Sequence, residues 1–287
     1  MTGANPTTYF RFCFAYFHLS RLPVTKTVIL CLILFLAPLL RAQSTPEEKQ
    51  LFQQLNDSRQ KAGQEALQWD ERLAEAAREH SKRMVEANQL AHVVNGEAQV
   101  GERLAATGVR FNRSGENVGY NTEFDDIHRA WMDSPGHREN ILSPAYNVVG
   151  IGVSKSDDGL FYATQDFAHA LPLRTAEQAE DVAAQSFEGL RKKSGRTPLQ
   201  RINDSRLRDV ACSMAQSGKL DPRQPMKIPD VRESVVYNNS RPEELPESAR
   251  AIVRQNRYSK YAVGACFTGD QPNNPGGTFY VVMTFYE

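Results

Sequence analysis

The sequence lacks a membrane-length apolar run, has little cysteine and carries no excess of either charge, and each shortage removes a class of protein. Its longest apolar stretch, Val28 to Leu40, is about 13 residues, against the roughly 20 needed to cross a bilayer. Four cysteines in 287 residues are too few for a disulfide-built scaffold. Lys and Arg number 34, as do Asp and Glu, so no strongly basic surface for nucleic acid is indicated. Histidine is absent after His169, which confines any imidazole chemistry to the earlier part of the chain. No nucleophile-elbow serine, phosphate-cradling glycine loop or zinc-finger spacing occurs. What is present is ordinary for a globular protein with room for two domains: 40% hydrophobic and 24% charged residues, without low-complexity tracts.

Residues 1–42 stand apart. They hold four basic and no acidic residues around the apolar run, the pattern of a signal peptide, with Ala42 as the small residue before the cut. A retained anchor is the other reading of this leader. Cleavage would remove Cys13 and Cys31 and leave Cys212 and Cys266 as one available pair. Pairing arithmetic alone leaves a disulfide and two reduced thiols equally open. Residues 43–171 then carry 13 basic against 20 acidic side chains, a net of −7, and residues 172–287 carry 17 against 14, a net of +3.

Thr45-Pro46-Glu47-Glu48 reads as a helix start, with a capping residue, a first-turn proline and a Glu three positions on. Leu51, Phe52 and Leu55 supply an apolar stripe and Gly63 an end. Asp70 caps a second predicted helix, in which Leu73, Ala76, Ala77, His80 and Met84 recur at helical spacing. Shorter helices are expected over Glu102–Thr107 and Phe124–Met132, the latter stopped by Pro135 and Gly136. Val148–Val153 and Leu160–Phe167 are then apolar, β-prone runs separated by Ser156-Asp157-Asp158-Gly159, which reads as an antiparallel hairpin. Helices followed by strands point to an α+β fold.

After Pro172 the pattern restarts. Gly195, Leu199, Gln200, Arg206, Leu207 and Ala211 follow the order of Gly63, Leu67, Gln68, Arg72, Leu73 and Ala77. Val263-Gly264-Ala265-Cys266 likewise parallels Val149-Gly150-Ile151-Gly152. A decayed internal repeat over 172–287 is expected, one that kept its core and lost its histidines.

Three segments collect polar residues suited to chemistry: Leu90-Ala91-His92, Gly115-Glu116-Asn117-Val118 and Ser134-Pro135-Gly136-His137. On loops at element ends, two histidines and a carboxylate can hold a divalent metal or form an acid–base pair. His80 lies on an apolar helix face and reads as a core histidine, whereas His128 and His169 read as surface residues. Arg138 and Asn140 read as loop anchors.

Taken with Trp131, Gly150-Ile151-Gly152 and Tyr162-Ala163-Thr164-Gln165-Asp166-Phe167, these segments resemble the CAP superfamily, or SCP domain, over about residues 47–169. The resemblance implies an α/β/α sandwich over 43–171, followed by the degenerate CAP-like half. It also implies a cleft holding two histidines and two acidic residues, with His92, Glu116 and His137 in three of those places. Ser134 stands where the second acid belongs, with Asp133 beside it. In the repeat, Cys212 on a helix and Cys266 on a strand would face each other, and a disulfide is expected.

Two functions compete. The first is a secreted or periplasmic binding module of the cell envelope or exterior. Its cleft would take a glycan, peptide or lipid through His92, Glu116, His137, Asp133, Ser134 and Gln165. The alternative is a metal-assisted hydrolase in which His92, His137 and Glu116 hold zinc. No nucleic-acid partner is expected, nor any membrane span once the leader is cut.

Overall fold

The computed structural model describes residues 44–269 and 274–287; the expected leader, with Cys13 and Cys31, lies outside them. Helix α1 (Pro46–Lys61) starts at the capping signal. The Thr45 hydroxyl accepts from the Glu48 N–H, and the Glu48 carboxylate accepts from the Thr45 N–H. After the two-residue strand β1 (Gln68–Trp69) comes α2 (Glu71–Ala87), whose cap Asp70 accepts from the Arg72 N–H. There follow α3 (Val100–Ala106), β2 (Phe111–Asn121), α4 (Asp126–Asp133), α5 (Pro135–Leu142), β3 (Val148–Lys155) and β4 (Phe161–Ala170).

Two expectations need correction. The Glu116 segment is not a loop but the middle of β2. Its run of Asn, Arg, Ser and Gly hides a strand that forms because β4 pairs with it residue for residue from Ser114 to Asn121. Pro135 does not merely stop α4. It opens α5, where a missing N–H costs nothing because the first turn has no partner for one. His137 is therefore helical.

The sheet runs β1-β3-β4-β2, parallel between β1 and β3 and antiparallel elsewhere, so β2 is an edge. Alternation along β3 and β4 sends Val149, Ile151, Ala163 and Phe167 to one face, against Leu51, Leu55, Ile127, Trp131 and Ile141 of α1, α4 and α5. Val148 and Ala168 meet Leu73 of α2 and Leu104 of α3 on the other face. The result is an α/β/α sandwich. Helix α2 lies directly on β3 because Gly150 is bare: a Cβ there would fall on the Leu73–Ala74 backbone.

A second set of elements follows: α6 (Ala176–Lys193), β5 (Gln200–Arg201), α7 (Arg206–Ser217), β6 (Glu233–Asn239), α8 (Glu247–Val253), β7 (Lys260–Thr268) and β8 (Thr278–Tyr286). Its sheet order is β5-β7-β8-β6, with β5 parallel to β7. Gly264 meets the Leu207–Arg208 backbone of α7 as Gly150 meets α2. Cys212 of α7 is disulfide-bonded to Cys266 of β7. Both sheets sit within one unit, Thr45–Glu287. Buried Arg110 joins them. Its guanidinium donates to the Pro172 and Ser240 carbonyls and lies 4.8 and 4.7 Å from the ring centres of Phe267 and Phe279. Gly276 rests on the Phe111 backbone, where no Cβ would fit. Among the described residues no helix is long and apolar enough to cross a membrane.

The disulfide closes a separation of 54 residues, which in the chain-entropy account stabilises the fold by about 4 kcal/mol. Reduction, or a Cys212→Ala, Cys266→Ala double variant, should lower the urea midpoint by an amount equivalent to about 2–4 kcal/mol. Equal midpoints for the oxidised and reduced protein would contradict this.

Candidate functional site

The polar residues of the first sandwich converge at the open edge of β2. Glu116 points to the α2 side of the sheet and is buried, its side chain only 2% exposed. A buried carboxylate needs charged or strongly donating partners, and Glu116 has two. His92, on the loop after α2, places Nδ1 2.7 Å from Oε1. Arg103 of α3 donates from its guanidinium to Oε2. Arg103 also donates to the carbonyls of His92 and Ala98, each at 3.0 Å, and so ties the loop to the helix. The His92 ring remains 59% exposed.

Behind this pair lies a second polar layer. His80 is fully buried, with Nδ1 2.7 Å from Glu97 Oε2, Nε2 3.0 Å from the Ala91 carbonyl, and 3.8 Å separating Nε2 from Glu116 Oε2. It is a satisfied interior histidine, but one that backs the site. Asp166 of β4 pairs with Glu116 across the strands and is completely buried. Neither of its oxygens meets a donor among the described residues. Burial first, and the Glu116 charge second, push the Asp166 carboxyl well above the usual carboxylate range. Protonated, Asp166 can donate to the Glu116 carboxylate beside it.

On the opposite face, α5 presents His137 to the same edge. Its carbonyl accepts from Asn117 Nδ2 at 3.1 Å. Burial, then the nearby His92 imidazole, lower the His137 pKa. Three side chains from this face cap outward carbonyls of β2: Tyr146 on Ser114, Asn140 on Glu116 and Trp131 on Val118, at 3.3, 3.2 and 3.1 Å.

Of the expected binding residues, His92 and Glu116 are in direct contact, and His137 lies near enough to His92 to feel its charge. Gln165 does not line the cleft surface: it is fully buried and accepts from Asn117 Nδ2 at 3.1 Å. Asp133 is exposed at the end of α4, and Ser134 is the half-buried residue between α4 and α5. His128, expected at the surface, is buried, its Nε2 2.8 Å from Ser58 Oγ. That position follows from the α1–α4 contact, which no single-helix pattern reveals. His169 is half-buried, with Nδ1 3.2 Å from the Ala145 carbonyl. Arg138 and Asn140 act as anchors, Arg138 donating to the Met132 carbonyl at 2.9 Å. Arg103 and Asp166 were not singled out. No signal in the sequence marks either residue, because the pairing of β2 with β4 that buries Glu116 is itself not legible there.

The donor set does not suit zinc as it stands. Both Glu116 oxygens are engaged, one by a guanidinium, and a metal would have to displace it. Among the described residues no three His, Cys, Asp or Glu side chains are grouped so as to hold one ion.

Two titrations probe this arrangement. A carboxyl raised in the folded state binds more protons there than in the unfolded chain, so it makes stability fall as pH rises from the usual carboxylate range. Asp166→Asn should flatten that decline in urea unfolding followed from pH 4 to 8. Unchanged slopes would count against a raised Asp166 carboxyl. By NMR, His137 should titrate below an ordinary imidazole, and His92→Ala should raise its midpoint only in part, because burial, the larger cause, persists.

Comparison with known proteins then places the first half. Residues 52–167 match the cysteine-rich secretory protein family model, CAP. The uncharacterized membrane protein YlbC of Bacillus subtilis strain 168 is 36% identical over 124 residues, 43% of this chain and 34% of that protein. The uncharacterized protein YkwD of the same strain is 34% identical over 111 residues, 38% of this chain and 43% of the relative. The chain thus spans less than half the length of these curated relatives. Among solved structures, an extracellular SCP-domain protein of Bacillus anthracis strain Ames is 28% identical over 44% of this chain and 44% of its own, with a TM-score of 0.40.

Proposed function

From a CAP domain at residues 52–167, we propose that the protein is an exported binding module whose ligand docks at the β2 edge between His92 and His137. The observation that carries this reading is the state of Glu116. A carboxylate with one oxygen engaged by an imidazole and the other by a guanidinium is placed to orient its neighbours rather than to attack a substrate. It orients His92 and leaves that ring facing solvent, an arrangement suited to recognition.

The second half is then a decayed copy that extends and braces the module. Its support is positional. The Thr45 capping box recurs at Thr175 and the Glu48–Arg78 ion pair at Glu180–Arg208. Buried Arg59, donating to carbonyls, recurs at Arg191, and the strand order is the same. Export is supported by the expected leader and by the disulfide, which persists in an oxidising compartment.

Purified protein should co-sediment with insoluble bacterial cell-wall material, and a His92→Ala, His137→Ala double variant should be retained about tenfold less, a loss of about 1.4 kcal/mol. Release of soluble wall fragments by the wild-type protein, abolished by His92→Ala, would replace binding with hydrolysis. Calorimetry with zinc should show no heat that His137→Ala removes.

A further inference from the structure

We propose that the outer edge of β2 receives the acetamido carbonyl oxygens of an N-acetylated glycan; this rests on the reading of the β2 edge as a binding cleft and names its ligand. The argument begins with strand parity. The N–H groups of Gln68 and Asp70 donate to the carbonyls of Asn147 and Val149, so these odd positions of β3 face β1 and the even ones face β4. Through the registers Gly150↔Asp166 and Glu116↔Asp166, residues 115, 117 and 119 of β2 bond to β4, while 114, 116, 118 and 120 point outward. The three side-chain caps on the carbonyls of Ser114, Glu116 and Val118 agree with this assignment.

The edge is therefore asymmetric. Three of its outward carbonyls already accept a hydrogen bond, but no acceptor among the described residues meets the outward N–H of Glu116, Val118 or Tyr120. Backbone donors beside a cleft take an acceptor from solvent or ligand. An added β-strand is a poor fit, because it must donate to carbonyls as well as accept from N–H groups, and here the carbonyls are already capped. A carboxylate or phosphate ligand is opposed by the net −7 of residues 43–171. A neutral carbonyl remains. Successive outward N–H groups lie about 7 Å apart, so the edge suits a ligand that repeats its acceptors.

The apolar surface beside these donors favours a sugar over other carbonyl sources. Tyr120, at the end of the donor row, is 51% exposed, and its ring centre lies 5.6 Å from that of Tyr162, which steadies it. An exposed flat ring next to aligned donors presents a stacking face for the C–H side of a pyranose while the acetamido oxygen reaches the backbone.

The 15N-labelled protein should be titrated with tri-N-acetylchitotriose and with its deacetylated form. The acetylated sugar should move the Glu116 and Val118 amide protons downfield. The deacetylated one should leave them in place, although its positive charge is attracted to this half. Tyr120→Ala, at an exposed position, should keep the spectrum otherwise intact and weaken binding about three- to tenfold. If the acetylated sugar shifts the His92 and His137 rings but not the edge amides, the cleft reading stands and the carbonyl assignment fails. Equal edge shifts with both sugars also overturn it. No shift near the cleft with either sugar removes the glycan assignment, and the cell-wall retention experiment then decides separately whether the cleft reading falls too.

Discussion

The first sandwich is organised around one buried charge, the carboxylate of Glu116. A carboxylate taken out of water costs several kcal/mol unless it is paired, and losing a partner leaves that cost uncompensated. Arg103 meets the requirement, but only if α3 lies against β2. Its further bonds to the carbonyls of His92 and Ala98 then fix the intervening loop. The Arg103–Glu116 ion pair thus ties α3 and the 88–99 loop to the edge strand that β4 holds. His92 inherits its orientation from the same carboxylate.

Around that charge the two faces of the sheet divide the work. The α2 face holds the ionisable layer of His80, Glu97, Asp166 and Glu116, sealed by the close approach that Gly150 and Gly152 permit. The α5 face holds a neutral amide layer of Asn117, Asn140 and Gln165. Charge is concentrated where a guanidinium can reach it, and hydrogen-bond capping where Trp131 and Tyr146 pack. The edge between these layers is where solvent and side chains from both faces meet.

The second set of elements has the same strand order as the first. Its helix α6 opens with a capping box, as α1 does, and its buried Arg191 donates to carbonyls as Arg59 does. It also holds the disulfide. It is linked to the first half by Arg110, whose burial lowers its pKa and is offset by two carbonyls and two aromatic rings. Gly276 completes that contact beside the start of β2, so the second half braces the strand that carries Glu116.

Sequence by itself determined the elements whose signals are local. Thr45 and Asp70 announced their helices because a cap acts on backbone within three residues. The β3–β4 hairpin was legible because two β-prone apolar runs flank the turn residues Ser156-Asp157-Asp158-Gly159. The three candidate site residues, His92, Glu116 and His137, were picked out by their motifs and a family resemblance. Tertiary structure alone decided the rest. β2 is a strand because β4 pairs with it, not because its residues favour one. Arg103, Asp166 and the buried His128 became visible only once helices from distant sequence were laid against them. Burial and charge pairing are properties of neighbours in space, and no spacing along the chain encodes them. The same holds for the asymmetry of the β2 edge, which exists only because side chains from α4, α5 and the segment before β3 cap its carbonyls and leave its N–H groups bare.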